Sequence, residues 1–139
     1  MNLHFDIVSG DFIKAGYVSS EVKKVLKQME LPADFIRKVV IACYEAEMNI
    51  VVHANNGSAD IEFSPGAIIM KFEDEGPGIS NINLAMQEGF STASEHVREM
   101  GFGAGMGLPN IARNSDKVDI KSELGKGTCV TITNHIKYK

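Results

Sequence analysis

A glycine-rich run directly before a predicted helix is the feature of this sequence that most suggests chemistry. Four glycines fall within the seven residues from Gly101 to Gly107, and Leu108 and Pro109 then begin a helical pattern. Glycines let the backbone approach a ligand closely, and successive N–H groups can form a concave nest for anions. A helix N-terminus adds unpaired N–H donors and a positive dipole end. The pattern therefore predicts a loop that binds phosphate groups.

The spacing of these glycines differs from the two common phosphate-binding motifs. The P-loop needs a glycine, four residues and then Gly-Lys-Ser/Thr, a pattern that the chain lacks. The dinucleotide motif G-x-G-x-x-G fails because Leu108 stands where the third glycine would follow Gly103 and Gly105. A flexible linker would be rich in serine and would not lead into a helix. The run therefore predicts a phosphate loop of another class.

Three polar residues, Glu45, Asn49 and His53, are spaced four apart in a predicted helix and so share one face. A carboxylate aimed into a site could orient or deprotonate a nucleophile. An amide beside it could hold Mg²⁺, which takes a few oxygen ligands together with phosphate and water. Taken alone, the spacing favours a solvated polar stripe on an amphipathic helix. His53 has no zinc-type spacing around it and is expected to be structural.

Two further patterns lie where predicted strands end or begin. Asp74 ends one strand and is followed by Gly76 and Gly78. An ionised carboxylate in that place can accept a hydrogen bond from the exocyclic amine of adenine, and the glycines would let the backbone pass close to a flat ring. The fourth pattern, Gly125-Lys126-Gly127-Thr128, precedes the last predicted strand. Taken separately, each of the two patterns is also explained as an ordinary turn.

Composition limits the class of protein. The chain has 139 residues, enough for one domain with a sizeable core, and we expect a single domain over 1–139. The net charge of −4, without a long basic run, argues against nucleic acid or an anionic membrane as the main partner. No apolar run approaches membrane-spanning length and the N-terminus is unlike a signal peptide, so we expect a cytoplasmic protein. Cys43 and Cys129 are far apart, which predicts reduced, buried thiols.

Periodicity and turn signals predict the elements that would position these residues. Strands are expected at 3–8, 58–64, 67–74, 117–122 and 128–134. Helices are expected over 11–29, from Pro32 to about His53, from Ser80 to about Gln87, and over 108–114. The intervening segment 88–107 has little periodicity, as is typical of lids and binding loops. Helices grouped with hairpin-like strands predict an α+β fold, a two-layer sandwich with a mainly antiparallel sheet and the helices on one face.

The order of the four patterns resembles the GHKL ATPase superfamily, which includes gyrase, the heat-shock chaperone ATPases, histidine kinases and mismatch-repair ATPases. The boxes are Glu45-x-x-x-Asn49, Asp74-x-Gly76-x-Gly78, Gly103-x-Gly105-x-Gly107-Leu108 and Gly125-x-Gly127-Thr128. The resemblance covers about residues 3 to 134. It implies a Bergerat fold, in which ATP lies between the helix layer and a mobile lid, here at about 89–106.

Within the superfamily, the stretches 44–49, 74–79, 87–92 and 105–109 are similar to the bacterial anti-sigma-factor and stressosome-switch serine kinases. This resemblance implies ATP or ADP and Mg²⁺ as cofactors. It makes Glu45 the catalytic base, Asn49 the Mg²⁺ ligand and Asp74 the residue that reads adenine with help from Thr128. The nucleotide-binding residues implied are Asn49, Asp74, Gly76, Gly78, Ile79, Arg98, Gly103, Ala104, Gly105, Met106, Gly107, Leu108 and Thr128. Of these, Arg98 matches the place where sporulation-type anti-sigma factors carry an arginine near the γ-phosphate.

The resemblance implies a protein serine/threonine kinase that transfers the ATP γ-phosphate to a regulatory partner, a small antagonist-type domain. A second hypothesis is a nucleotide-dependent binding switch, in which the lid holds or releases a partner such as a sigma factor. A sensor histidine kinase module is disfavoured, because no dimerisation helices or phosphoacceptor-histidine segment accompany the domain. The length of the predicted lid is similar to that of the sporulation-type kinases, whereas the glycine and proline pattern after it is similar to that of the stressosome type. The resemblance therefore does not identify the partner protein. A homodimer is compatible with all of these hypotheses.

Overall fold

The computed structural model describes residues 1–53, 56–76 and 107–136, which form five strands and three helices. In chain order these are β1 (Asn2–Val8), α1 (Tyr17–Gln28), α2 (Ala33–His53), β2 (Asn56–Phe63), β3 (Ala67–Asp74), α3 (Gly107–Arg113), β4 (Lys117–Glu123) and β5 (Gly127–His135). The short helix predicted from Ser80 to Gln87 and the lid predicted at about 89–106 lie outside the described residues.

The strands form one sheet in the order β1-β2-β3-β5-β4, and every neighbouring pair is antiparallel. Along β3, Ile68, Met70 and Phe72 alternate with exposed or half-buried residues and are almost fully buried. This period of two is typical of a sheet with one face covered by helices and the other facing water. The predicted fold class is therefore confirmed.

Helix α2 lies over the middle of the sheet and supplies much of the core. Its buried side chains include Val39, Ala46 and Ile50, each at most 2% exposed. Full burial of a Val or Ile side chain contributes about 1.5–3 kcal/mol. Cys43 in the same helix is fully buried and unbridged, as predicted. Cys129 is also unbridged but only half-buried, because the alternation of β5 places it on the face away from the helices. None of the helices in the described residues is long and apolar enough to cross a membrane.

The first helix begins later than its apolar spacing predicts. The sequence predicts a helix from residue 11, whereas α1 starts at Tyr17 because Gly16 has a left-handed backbone with φ of 94°. Before it, the Asp11 side chain accepts a hydrogen bond of 3.2 Å from the backbone N–H of Lys14, which forms a turn instead of a helix. Phe12 and Ala15, which gave the helical spacing, still pack against the core from this turn.

A buried carboxylate of α2 caps the N-terminus of α1. Gly16 has no side chain with which to cap the helix, and Glu47 takes that role from across the interface. The Glu47 carboxylate accepts hydrogen bonds from the backbone N–H groups of Gly16 (3.1 Å), Val18 (3.2 Å) and Ser19 (3.3 Å). Burial raises the pKa of Glu47, and the three N–H donors oppose that rise. The carboxylate thereby fixes α1 against the helix that carries Glu45 and Asn49.

We expect Glu47→Ala to lower the free energy of unfolding by about 3 kcal/mol, because three N–H groups lose their acceptor at a buried helix end. The control is Glu62→Ala, which removes a carboxylate that is exposed on β2 and should change stability by less than about 0.5 kcal/mol. Urea denaturation of both variants measures the difference. Equal stability of the two variants would show that Glu47 does not fix α1.

Candidate functional site

Glu45 and Asn49 lie one turn apart on the same side of α2 and are both half-buried, as their spacing predicts. Burial raises the pKa of the Glu45 carboxyl, and a side-chain hydrogen bond from Asn110 opposes that rise. A carboxylate that is partly withdrawn from water but still reachable is suited to accept a proton. The half-burial of Glu45 and Asn49 argues against a fully solvated stripe.

Asn110 lies near this site, although no sequence motif indicates it. It lies in α3, three residues after Gly107, with which the glycine-rich run ends and α3 begins. Its side-chain oxygen accepts a hydrogen bond of 3.2 Å from Nη1 of Arg113, one turn further along. Its position just behind the glycines was the available signal, but only the packing of α3 on α2 shows that it reaches Glu45.

The end of α2 that carries Asn49 lies over the end of β3 that carries Asp74. Ile50, the next residue of the helix, packs directly over Gly57 in β2, and Gly57 is the strand partner of Asp74. An amide oxygen at the half-buried Asn49 belongs to the hard oxygen donors that Mg²⁺ prefers. The donor type and the placement of Asn49 therefore fit a Mg²⁺ ion that is shared with the phosphates of a nucleotide.

Two backbone N–H groups hold one carboxylate oxygen of Asp74 in place. Its Oδ1 accepts hydrogen bonds from the backbone N–H of Gly76 (2.9 Å) and from the backbone N–H of Thr128 in β5 (3.1 Å). Among the described residues, no group donates to Oδ2. A carboxylate fixed in this way can accept a hydrogen bond from an exocyclic amine such as that of adenine.

Thr128 lies next to Asp74, to which its backbone N–H donates. Ser122 is a second partner of Thr128, and the sequence did not reveal it. The Thr128 hydroxyl lies 2.9 Å from the hydroxyl of Ser122, directly opposite on β4. By the alternation of their strands, Asp74, Thr128 and Ser122 all belong to the face that the helices cover. On this face, the buried apolar residues of β3 and β5 are followed by these three polar side chains at one end of the sheet.

Gly127 allows β5 to approach Asp74 closely. Its φ of 131° is a conformation that residues with a side chain rarely adopt, and a Cβ there would lie 2.0 Å from the backbone oxygen of Asp74. The last motif is thus more than a hairpin turn, because its second glycine brings Thr128 to the Asp74 carboxylate.

We expect Gly127→Ala to lower the free energy of unfolding by about 2–3 kcal/mol, since the methyl group must push β5 away from Asp74. Nucleotide affinity should fall with it. Gly125→Ala is the matched control in the same hairpin, because Gly125 also has a positive φ, 79°, but no atom within 4 Å of an added Cβ. That control should lose about 1 kcal/mol and keep its affinity. Equal losses would assign both effects to backbone strain alone.

A cleft of about 330 Å³ opens beside this end of the sheet. Asp74 and Thr128 line it, together with Glu73, Lys121 and Cys129, which alternate onto the face opposite the helices. Because residues of both faces line it, the cleft lies at the end of the sheet where Asp74 and Thr128 meet.

Of the other predicted nucleotide-binding residues, two lie in α3 and the rest lie outside the residues that the structure describes. Leu108 is only 8% exposed and packs in the core, so its described contacts are structural. Gly107 is the first residue of α3. The remaining predicted residues lie outside the described ranges: Gly78, Ile79, Arg98, Gly103, Ala104, Gly105 and Met106.

Comparisons with known proteins identify several relatives of this chain. An anti-sigma F factor of Geobacillus sp. (strain WCH70) is 27% identical over 98% of this chain and 92% of its own length. An anti-sigma F factor of Thermoanaerobacter sp. (strain X514) is 32% identical over 78% of this chain and 76% of its own. The serine/threonine-protein kinase RsbT of Bacillus subtilis (strain 168) is 35% identical over 66% of this chain and 65% of its own.

Solved structures show the same fold. The RsbU and RsbW domains of Rv1364c from Mycobacterium tuberculosis match 98% of this chain with a TM-score of 0.66 and 16% identity, and the match spans 32% of that longer chain. The mycobacterial sensor histidine kinase MprB matches with a TM-score of 0.58 and 15% identity. Residues 13–134 match the family model of the histidine kinase-like ATPase domain. With its antiparallel sheet, its helix-borne Glu45 and Asn49 and its strand-end Asp74, the chain belongs to the family of histidine kinase-like ATPase domains.

Proposed function

We propose that this protein is a serine/threonine kinase that transfers the γ-phosphate of ATP to a Ser or Thr of a partner regulatory protein. The observation that carries the proposal is the half-buried Glu45 carboxylate on α2, one turn from the half-buried amide of Asn49. A base in that place would stand beside the phosphates that the glycines are proposed to hold. The kinase name of one relative and the anti-sigma names of others support the same activity.

The proposed reaction needs little covalent help from the protein. Glu45 accepts the proton of the partner's hydroxyl, the hydroxyl oxygen attacks the γ-phosphorus, and ADP leaves with the electrons of the broken P–O bond. Asp74 orients the nucleotide by accepting a hydrogen bond from the adenine amine. Mg²⁺, held by the Asn49 side chain, would neutralise charge on the triphosphate. Arg98 and the residues Gly103 to Gly107 are proposed to contact the phosphates.

The proposed substrate is a small antagonist-type regulatory domain, and a sigma factor is the proposed binding partner, as the names of the anti-sigma relatives suggest. The site would operate in the cytoplasm, where ATP and such regulators meet. The net charge of −4 and the absence of a long basic run in the sequence favour a protein partner over nucleic acid.

The experiment that tests the proposal incubates the purified protein with γ-labelled ATP, Mg²⁺ and an extract of the source cells. A parallel incubation uses Glu45→Ala. One labelled band that appears only with the unmodified protein, and whose label is stable to acid as a phosphoserine or phosphothreonine is, would support the kinase. Bound ATP without any labelled band would contradict it. Acid-labile label would contradict the Ser/Thr specificity.

A further inference from the structure

Ser122 lies where the last hairpin of the sheet reaches the proposed adenine site. It is half-buried on β4, directly opposite Thr128 of β5, and it belongs to the face that the helices cover. Its Oγ lies 2.9 Å from Oγ1 of Thr128 and 3.3 Å from the backbone oxygen of Gly127. Together with Asp74 and Thr128, it lines the cleft at this end of the sheet. None of the four sequence motifs includes Ser122.

These two contacts determine the direction of the hydrogen bond between the two hydroxyls. The carbonyl oxygen of Gly127 can only accept, and the Ser122 hydroxyl has a single proton to donate. Both contacts are hydrogen bonds only when Ser122 donates to Gly127 and Thr128 donates to Ser122. The Thr128 proton is therefore directed at Ser122, and a ligand in the cleft meets Oγ1 of Thr128 as an acceptor.

Asp74 presents the same polarity beside the Thr128 hydroxyl. The backbone N–H of Thr128 donates to Asp74 Oδ1 at 3.1 Å, which holds the two side chains next to each other. An ionised carboxylate only accepts hydrogen bonds. The pair therefore offers acceptors alone, which suits the exocyclic amine of adenine with its two N–H groups. Guanine has a carbonyl oxygen at the same position, and that oxygen would meet acceptors instead of a donor.

We propose that Ser122 is a positioning residue that makes the site selective for adenine over guanine, because it holds the Thr128 hydroxyl as an acceptor. The inference rests on the proposed function, in which Asp74 and Thr128 contact the adenine of ATP. Ser122 acts through the direction of one proton and need not touch the base itself. Without Ser122, the Thr128 hydroxyl can rotate and donate to a carbonyl oxygen, so the site loses part of its preference.

The test measures the dissociation constants of ADP and GDP by calorimetry in the presence of Mg²⁺, while circular dichroism checks the fold of each variant. Ser122→Ala removes the hydroxyl, and Ser122→Thr keeps a hydroxyl at the same position. Thr128→Val removes the hydroxyl through which Ser122 is proposed to act but keeps the backbone N–H that donates to Asp74. The double variant Ser122→Ala/Thr128→Val completes the cycle. The ratio of the two constants is compared, because a general loss of structure weakens the binding of both nucleotides.

We expect Ser122→Ala to lower the preference for ADP over GDP about three- to tenfold, the effect of one neutral hydrogen bond. Its affinity for ADP should change less than about threefold, since Asp74 still accepts from the amine. Ser122→Thr should keep the preference of the unmodified protein. In the Thr128→Val background, loss of the Ser122 hydroxyl should leave the preference unchanged, because no Thr128 proton remains to be directed. This pattern of results supports the proposal.

An unchanged preference in a folded Ser122→Ala variant overturns the proposal, whether or not the protein is an active kinase, and so does equal binding of ADP and GDP by the unmodified protein. An equal loss of preference with and without the Thr128 hydroxyl also overturns it, since Ser122 would then act independently of Thr128. Failure of the unmodified protein to bind either nucleotide contradicts the proposed function itself, and this inference falls with it. Should Ser122→Ala not fold, Ser122→Cys replaces the hydroxyl by a weakly hydrogen-bonding thiol, and the same ratio decides.

Discussion

Replacing Glu45 by alanine is expected to lower the rate of phosphoryl transfer about 10²- to 10⁴-fold, the range that a positioned general base contributes. The affinity for Mg-ATP should change less than about threefold, because the proposed nucleotide contacts come from Asp74, Asn49 and the glycines. Glu45→Gln is the matched variant, since it keeps the shape of the side chain but cannot accept the proton. Both variants should be equally inactive.

Two measurements together check this expectation. Calorimetry with ADP tests binding, and single-turnover transfer of labelled phosphate to the partner tests chemistry. A rate within tenfold of that of the unmodified protein, in a variant that binds ADP normally, would show that Glu45 is not the base. Loss of binding and transfer together would place Glu45 among the residues that hold the nucleotide.

Asp74→Asn should weaken the binding of ADP about 10- to 100-fold, because a charge-assisted hydrogen bond to the adenine amine is lost. The asparagine can keep its oxygen toward the backbone N–H groups of Gly76 and Thr128, so the protein should remain folded. The other end of the amide then becomes a donor and faces a donor on adenine. Guanine carries an acceptor at that position, so the preference for ADP over GDP should shrink as well.

The control for Asp74→Asn is Asp119→Asn, which makes the same change at an exposed position of β4. Calorimetric titration of both variants with ADP and GDP gives the affinities, and circular dichroism checks the fold. If Asp74→Asn folds and binds ADP as tightly as the control does, Asp74 does not read adenine.

The strands could be predicted to within two residues because this sheet is covered on one face only. In such a sheet, apolar residues face the helices and polar residues face water, so their alternation marks each strand, as in β3. The start of α1 could not be predicted in the same way. The apolar spacing of Phe12 and Ala15 fits both a helix and a turn that packs on the core, and the left-handed Gly16 decides between them.

The candidate site was predictable where a motif carries its own geometry. The four-residue spacing of Glu45 and Asn49 places both on one face of any helix. The link between Thr128 and Asp74 came from the family resemblance, and the pairing of β5 with β3 brings the two residues together. The roles of Asn110 and Glu47 depend on which helices pack against each other. Residue spacing within one helix does not predict such contacts. Glu47 in particular has the sequence context of a surface glutamate, and only the interface with α1 shows it to be buried.

The strand order has a consequence for how the protein is made. Asp74 and Thr128 are 54 residues apart in the chain, and β5 lies between β3 and β4 in the finished sheet. During synthesis on the ribosome, one edge of β3 therefore stays unpaired until β5, the last strand, has been made. Pairing between strands so far apart in the chain is also slow. The proposed nucleotide binding through Asp74 should accordingly appear late, when β5 pairs with that edge. An exposed edge is also a template for pairing with other chains, so the interval before closure is when a nascent copy is most exposed to aggregation.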